Sequence, residues 1–352
     1  MDISRVDKNF TVETDIIRDG LEFFDIKNEP FSVCGVFYEN GAWVRLPRAV
    51  AETVNEGVAA LYEHTAGGRV RFVTDSPYIV IKAVQVGKPG FAHMATSGVS
   101  GFDLYETAEG KYIHRKTFMP EINSVTGLEG VFDFSSEGER ILTLDFPLYF
   151  NVKELYIGIK SGSVLKKAPD YKIKKPIVFY GSSITQGGCA SRAGTSYQGF
   201  LSRKYDADYI NLGFSGSARG EENMANYIAS LDMSAFVYDY DHNAPTEEHL
   251  RNTHERFYKI IRAAHPDIPV IIMTRPKVAL RNSEKIYRDI IYQTYKSALD
   301  RGEKVYFAVG SELMQLCADE GTVDGCHPTD LGFFSMAERL SVEFDKFIDT
   351  LV

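Results

Sequence analysis

The amino-acid sequence predicts two domains, an all-β sandwich or jelly-roll followed by an α/β domain built on a parallel sheet. Three observations carry this. The first half holds short, alternating and β-branched runs punctuated by Gly, Pro and Asp, with little helical periodicity. Beyond Pro176 the strand candidates become continuously apolar and are separated by helix-length stretches, the pattern of strands covered on both faces. The chain of 352 residues is also long for a single hydrophobic core.

Taken in order, "RVRFVTDSPYIVIKAV" (Arg69 to Val84) reads as two strands about an Asp-Ser-Pro turn, and "RILTLDFPLYF" and "ELYIGI" repeat the style. The basic, polar stretch "SGSVLKKAPDYKIKKP" marks the junction. The expected division is a β-domain over 1–165, a linker over 166–175 and an α/β domain over 176–352. In the second domain the strand candidates are "IVFYGS", "DYINLGF", "AFVYDY", "PVIIMT" and "KVYFAV". Helices are expected over Tyr197 to Lys204, Glu221 to Ser230, Glu247 to Ala264, Ser283 to Arg301 and Asp330 to Leu351.

Composition narrows the function. A formal net charge of -9 argues against a nucleic-acid binder, because phosphate contacts need clustered Lys and Arg. No apolar run reaches the roughly 18 residues of a membrane span, and "MDISRVDKNFTVETDI" lacks the apolar core of a secretory signal. A cytoplasmic protein is the expectation. Cys34, Cys189, Cys317 and Cys326 have no paired spacing, so free thiols are expected rather than a zinc site or disulfides.

In parallel sheets ligands sit beyond the carboxyl ends of the strands, so the residues after each strand matter most. The first strand ends at Gly181-Ser182-Ser183-Ile184-Thr185, where a serine between strand and helical turn can be presented with its N–H free. The second ends in "NLGFSGSARG", where Gly213 allows close backbone approach. The third ends in "DYDHNAPT", and the Asn243 amide can donate to a developing oxyanion. Before the last helix, "DGCHPTDLGF" places Asp324 three residues before His327, so that a carboxylate can fix an imidazole tautomer. Each signal is weak alone. All four at one sheet edge supply nucleophile, base, orienter and oxyanion donors.

With these residues in place, the chain resembles the SGNH hydrolases, the GDSL-type esterases. Gly181-Ser182-Ser183 matches the family's Gly-Asp-Ser-like motif, with Ser183 in the nucleophile's place and Ser182 replacing the aspartate. The family glycine falls on Gly213, its asparagine on Asn243, and its Asp-x-x-His on Asp324 and His327. The usual Gly-x-Asn-Asp block departs here to "YDYDHNAP". "GSSITQGGCASRAG", "DHNAPTEEHLRNTHERF" and Gly101-Phe102-Asp103-Leu104-Tyr105 are similar to a subgroup with an N-terminal Gly-x-Asp-Leu-Tyr β-domain, a layout that some carbohydrate deacetylases share. The resemblance implies a flavodoxin-like α/β/α hydrolase domain behind a β-sandwich.

The expected reaction is ester hydrolysis through an acyl-enzyme. Ser183 attacks, His327 acts as base, Asp324 orients it, and the N–H groups of Ser183 and Gly213 with the Asn243 amide hold the oxyanion. Ser182 is the fallback nucleophile. No cofactor or metal is expected, since Asp239, Asp241 and His242 continue a strand end where alternate residues face opposite sides. Cys326 is expected to be a packed thiol. The favoured substrate is a small acyl group on a sugar or other small molecule. His64, His93, Trp43 and the 101–105 segment are candidates for a glycan wall, with core packing the plainer alternative for each. A lipid or thioester acylhydrolase, an acyltransferase and a glycan-binding protein with a lost site are the competing readings, and a homo-oligomer is left open.

Overall fold

The computed structural model describes residues 12–88 and 90–352. Residues 1–11, on which the reading of the N-terminus and the first part of the expected β-domain fall, lie outside the described residues.

The first domain is a sandwich of two antiparallel sheets. One runs in the order Leu21–Asp25, Glu154–Lys160, Tyr78–Val84, Gly127–Asp133. The other runs Leu165–Lys167, Arg69–Thr74, Arg140–Asp145, Phe102–Ala108, Lys111–Phe118, with Ser32–Cys34 also paired to Arg69–Thr74. The period-2 pattern explains the core, because alternate residues of a strand share a face. Val70, Phe72, Leu142, Leu144, Phe102 and Leu104 bury against Ile79, Ile81, Ile157 and Ile159. Arg69, alternating with Val70 and Phe72, leaves that core and stacks on Tyr209 of the second domain, its guanidinium 3.9 Å from the ring centre.

Besides the short helix Thr96–Val99, two adjacent helices interrupt this half, Arg48–Val54 and Glu56–Leu61, where sequence periodicity predicted few. Both are too short to form on propensity alone. They are held by docking: Leu46, Ala51 and Val58 bury in the core of the second domain, and Asn55 Oδ1 caps the second helix at the Val58 N–H, 2.9 Å.

The second domain carries a five-stranded, wholly parallel sheet in the order Ala207–Gly213, Ile173–Gly181, Ala235–Asp239, Val270–Met273, Val305–Ala308. In chain order this is 2-1-3-4-5, the flavodoxin-like arrangement. Val178, Tyr180, Phe236 and Tyr238 face helices Glu222–Ala229, Glu247–Ala264 and Asn282–Asp300. Ile177, Phe179, Val237 and Ile271 face helices Tyr197–Tyr205 and Asp330–Phe344. The last helix stops at Phe344 rather than Leu351; Phe347 turns back onto Tyr306, ring centres 4.8 Å apart, and a short 3-10 turn, Ile348–Leu351, follows. Residues 168–172 lie between the last sandwich strand and the first parallel strand, with Ala168 and Tyr171 buried. No helix among the described residues is long and apolar enough to cross a membrane. The strand order reverses beside the first strand, and the loops after the first and third strands flank that crevice.

Candidate active site

The first strand must end in glycine, because a Cβ at Gly181 would overlap the Asp239 side chain and carbonyl and Thr185 Oγ1. Ser182 then caps a four-residue helix, Ser183–Gln186, its Oγ accepting from the Ile184 N–H at 3.2 Å. Gly187, at φ 103°, closes the turn in the left-handed region that only glycine enters freely. Ser183 is thereby presented at the helix start, 8% exposed. Ser182 is fully buried and occupied as the cap.

Ser183 Oγ lies 2.9 Å from His327 Nε2. His327 Nδ1 lies 2.8 Å from Asp324 Oδ2, while Asp324 Oδ1 accepts the N–H groups of His327 (2.8 Å) and Cys326 (3.0 Å). The loop therefore fixes both carboxylate and ring by its own backbone. With Nδ1–H donating to Asp324, Nε2 is left as acceptor for the serine proton. Burial pushes the Asp324 carboxyl upward, but the hydrogen bonds from His327 and Cys326 outweigh it and hold it at about 2.

The oxyanion side differs from expectation at one position. The Gly213 N–H donates to Asn211 Oδ1 at 2.9 Å, and a Cβ on Gly213 would overlap the Thr185–Gln186 backbone. Gly213 thus serves close packing of the strand end under the serine helix, and its N–H is occupied. Among the described residues, the N–H groups of Ser183 and Gly216 make no hydrogen bond. Gly216, at φ 67°, sits in the turn after the strand. Asn243 Nδ2 donates to Phe214 O at 3.2 Å, which places the amide against that same turn with a second N–H to offer. The glycine pair in "NLGFSG" was the signal; the Asn211 side chain, whose direction residue identity does not reveal, occupies the N–H of one and leaves that of the other open.

The first domain supplies much of the support. Tyr149 Oη donates to the Ser183 carbonyl (3.0 Å). Gln186 Nε2 donates to Leu148 O and His64 Nδ1, both at 3.1 Å, and Gln186 Oε1 accepts from the Ser215 N–H at 3.0 Å. Arg45, 1% exposed, donates to the carbonyls of Leu61 (3.1 Å), His64, Asn211 (3.1 Å) and Gly213 (2.7 Å). Asn55 Nδ2 donates to Ser217 O at 2.9 Å. An arginine inside the apolar run "AWVRLP" was the available clue to Arg45, since a buried guanidinium needs such partners.

Of the candidate wall residues, Trp43 is core, and His64 is the Gln186 partner. Asp103 is a buried latch, accepting from Arg192 Nη1 (3.0 Å) and the Gly194 N–H (2.9 Å), with Tyr105 Oη 3.0 Å from Arg192. His93 alone is exposed at the site, its ring centre 5.7 Å from that of His327. The acidic residues after the third strand have separate partners. Asp239 accepts from Thr185 Oγ1 at 2.7 Å, and burial pushes its carboxyl up to about 7. Asp241 pairs with Arg275 at 2.9 Å. Cys326 Sγ lies 3.7 Å from His242 Nδ1, and burial pushes the thiol up.

Sequence comparison joins this geometry to known proteins. The profile of the GDSL-like lipase/acylhydrolase family matches residues 174–344, and that of the N-terminus of SGNH-hydrolase-type esterases matches residues 21–165. The chain belongs to the SGNH-type, GDSL-like esterases. Family and fold together make this chain a carboxylic ester hydrolase. A protein from Bacteroides ovatus described as a GDSL-like lipase is similar over 94% of this chain and 98% of its own, at 28% identity and a TM-score of 0.84. The salicylyl-acyltransferase of a tetracycline biosynthetic pathway shares the fold over 94% of this chain and 98% of its own, at 18% identity and a TM-score of 0.76. A family two carbohydrate esterase from Clostridium thermocellum, in complex with cellohexaose, covers 81% of this esterase and 93% of its own chain, at 17% identity and a TM-score of 0.58. Among curated proteins, none matches the chain.

Proposed function

We propose that this esterase removes small acyl groups, acetyl first among them, from a carbohydrate, through an acyl-enzyme on Ser183. The relay Ser183 Oγ–His327 Nε2 (2.9 Å) and His327 Nδ1–Asp324 Oδ2 (2.8 Å) is the observation that carries the reading. In it, His327 takes the Ser183 proton as Oγ bonds to the acyl carbon, then delivers it to the departing sugar oxygen. Water, deprotonated by the same nitrogen, cleaves the acyl-enzyme and restores the serine. The N–H groups of Ser183 and Gly216 and the Asn243 amide stabilise the tetrahedral oxyanion. A two-domain division accompanies this reading, its expected linker of 166–175 narrowed to 168–172 between the flanking strands, with the hydrolase chemistry carried on residues 176–352.

The surroundings favour a compact, polar substrate. A hollow of about 200 Å³ beside Asn243 is lined by Asp241, His242, Arg275, Arg281, Glu284 and Tyr287. An alkyl chain placed there would desolvate charged groups without replacing their hydrogen bonds. The fold is one that carbohydrate esterases also use, so acetylated glycans are the first substrates to try. A long acyl chain would have to use the hollow of about 260 Å³ lined by Phe91, Ala92, Met94 and Val99.

The deciding experiment measures acetate release from a panel of acetylated oligosaccharides beside p-nitrophenyl esters of increasing chain length. Release from the glycans, fast turnover of the acetyl ester and its loss in Ser183→Ala are expected. Cleavage confined to esters of about eight carbons or more would overturn the acetyl reading.

A further inference from the structure

We propose that His93, Cys189 and His327 form a site for a thiophilic divalent cation, Zn²⁺ foremost, whose occupation switches the esterase off. One nitrogen of each imidazole and the Cys189 sulfur all lie within 4.8 Å of one another. The three ligands come from distant parts of the chain. His93 stands on the first domain's loop between strand Tyr78–Val84 and helix Thr96–Val99, Cys189 follows the serine helix, and His327 is the histidine of the relay. Two imidazoles and a thiolate are a donor set that Zn²⁺ takes in tetrahedral geometry, with a fourth position left for water. Typical Zn–N bonds of about 2.0–2.1 Å and Zn–S bonds of about 2.3 Å require the donors to draw in from their present spacing. His93, exposed on a loop, is the ligand able to move.

Ring contacts hold His93 near this place. Its ring is edge-on to Phe91, centres 6.5 Å apart, and Phe91 is edge-on to Tyr149 at 5.5 Å, the residue whose hydroxyl bonds the Ser183 carbonyl. On the other side, Cys189 holds a left-handed backbone, φ 73°.

The consequence follows from the lone pairs. His327 Nδ1 carries the proton bonded to Asp324, so Nε2 is the nitrogen free to bind a cation. That same lone pair accepts the Ser183 proton. A cation there abolishes the base while leaving Asp324 bonded to the ring, the usual carboxylate–histidine–metal arrangement. Binding breaks the Cys189 S–H bond as the metal–sulfur bond forms, the proton passing to solvent, and breaks no other covalent bond of the chain. The inhibition rests on the proposed role of His327, whereas the binding does not.

Two measurements separate these claims. Titration of the full chain with Co²⁺ reads the site directly, because a thiolate bound to cobalt gives a charge-transfer band. The band is expected in the parent chain and in Cys326→Ser, and is expected to vanish in Cys189→Ser. No band, or a band that survives Cys189→Ser and disappears in Cys326→Ser, overturns the site. In parallel, p-nitrophenyl acetate turnover is followed against Zn²⁺ concentration, each variant normalised to its own metal-free rate and checked for recovery with a chelator. His93→Ala and Cys189→Ser are each expected to raise the half-inhibiting Zn²⁺ concentration at least about tenfold, the scale on which metal sites lose affinity when support is removed. Unchanged sensitivity in both variants overturns the switch. If the chain turned over no ester, the cobalt titration would still test the binding.

Discussion

The serine turn and the histidine loop meet at one hydrogen bond, yet they are held in different ways. Residues 181–187 are buried and gripped from outside: by Tyr149 on the Ser183 carbonyl, by Leu148 and His64 on Gln186, and by Asp239 on Thr185. The neighbouring 214–217 turn is likewise pinned by Asn55, and the strand end before it by Arg45. The loop of Asp324 and His327 is held largely by itself. Both oxygens of Asp324 bond within three residues, the Val323 N–H donates to His327 O at 2.9 Å, and the Asp324 side chain is 41% exposed. The proposed nucleophile and oxyanion donors thus depend on packing across two domains, while the proposed base depends on a short local turn. Distant substitutions in the first domain should reach the first group and spare the second.

The sharpest way to break the comparison is Asp324→Asn. The shape is kept but the charge that selects the tautomer is lost, so kcat should fall on the order of 10³-fold or more, while thermal stability should fall only modestly, because the half-exposed charge contributes a solvent-screened amount. A fall of less than tenfold in steady-state assays would show that the relay is not what drives turnover. Next in size is Asn243→Ala. Removing one oxyanion donor typically costs about 3 kcal/mol, or on the order of a hundredfold in kcat with KM nearly constant. A change confined to KM would move Asn243 out of the oxyanion site and into ground-state binding.

Gly57→Ala tests the reach of the first domain. Gly57 lies in the helix Glu56–Leu61, and a methyl there would overlap Ser217 Oγ in the turn that holds Gly216. Overpacking of this kind typically costs about 1–3 kcal/mol. The turn must shift, and catalysis is steeply sensitive to misplacement of the groups around the reacting atoms, so kcat should drop roughly tenfold. Ser217→Gly in the same chain should restore it by removing the atoms that the methyl meets. A double variant as slow as the single one would mean that Gly57 acts through something other than this contact.

The same division explains what could be read from residue order. The five parallel strands were legible because each carries a mostly apolar run, interrupted only by Lys174 and Lys175 at the start of the first and by Asp208 and Asn211 in the second before their ends, and helix Glu247–Ala264 matches its predicted bounds because Thr246 caps it and two glutamates open it. Asp324 and His327 were legible because their geometry is local: three residues and a proline nearly determine it. The helices at 48–61 and the Arg45 clamp were not, since each is decided by a partner remote in the chain, for Arg45 and Asn55 more than a hundred residues away; the occupied Gly213 N–H was hidden because residue order does not show that the Asn211 side chain turns back to accept it. Residue patterns report the face a segment buries; they do not report which remote carbonyl will accept from it.

Acid titration offers a finer, smaller test of the two regions. His64, His242 and His254 sit neutral in the fold: burial, their largest influence, lowers them to about 3, about 4 and about 3. In the unfolded chain each takes up a proton near its ordinary value of about 6.5. Between those values the unfolded state holds more protons, so stability rises with pH there. Their contribution is complete above about pH 6.5 and drains away as pH falls toward about 4. Asp324, depressed to about 2, contributes above its ordinary value of about 3.9 and loses that only as pH falls on toward about 2. Melting temperature should therefore decline from pH 6.5 to 4.5 in the parent chain and in Asp324→Asn alike. His254→Asn should flatten that decline, since His254 is 1% exposed with Nδ1 2.8 Å from Thr294 Oγ1. His64→Asn should flatten it less, but should lower kcat at every pH, because it removes the Nδ1 acceptor for Gln186 beneath the serine turn. An unchanged kcat in His64→Asn would mean that the turn holds its shape without that bond, and the grip of the first domain would reduce to Tyr149 and Leu148.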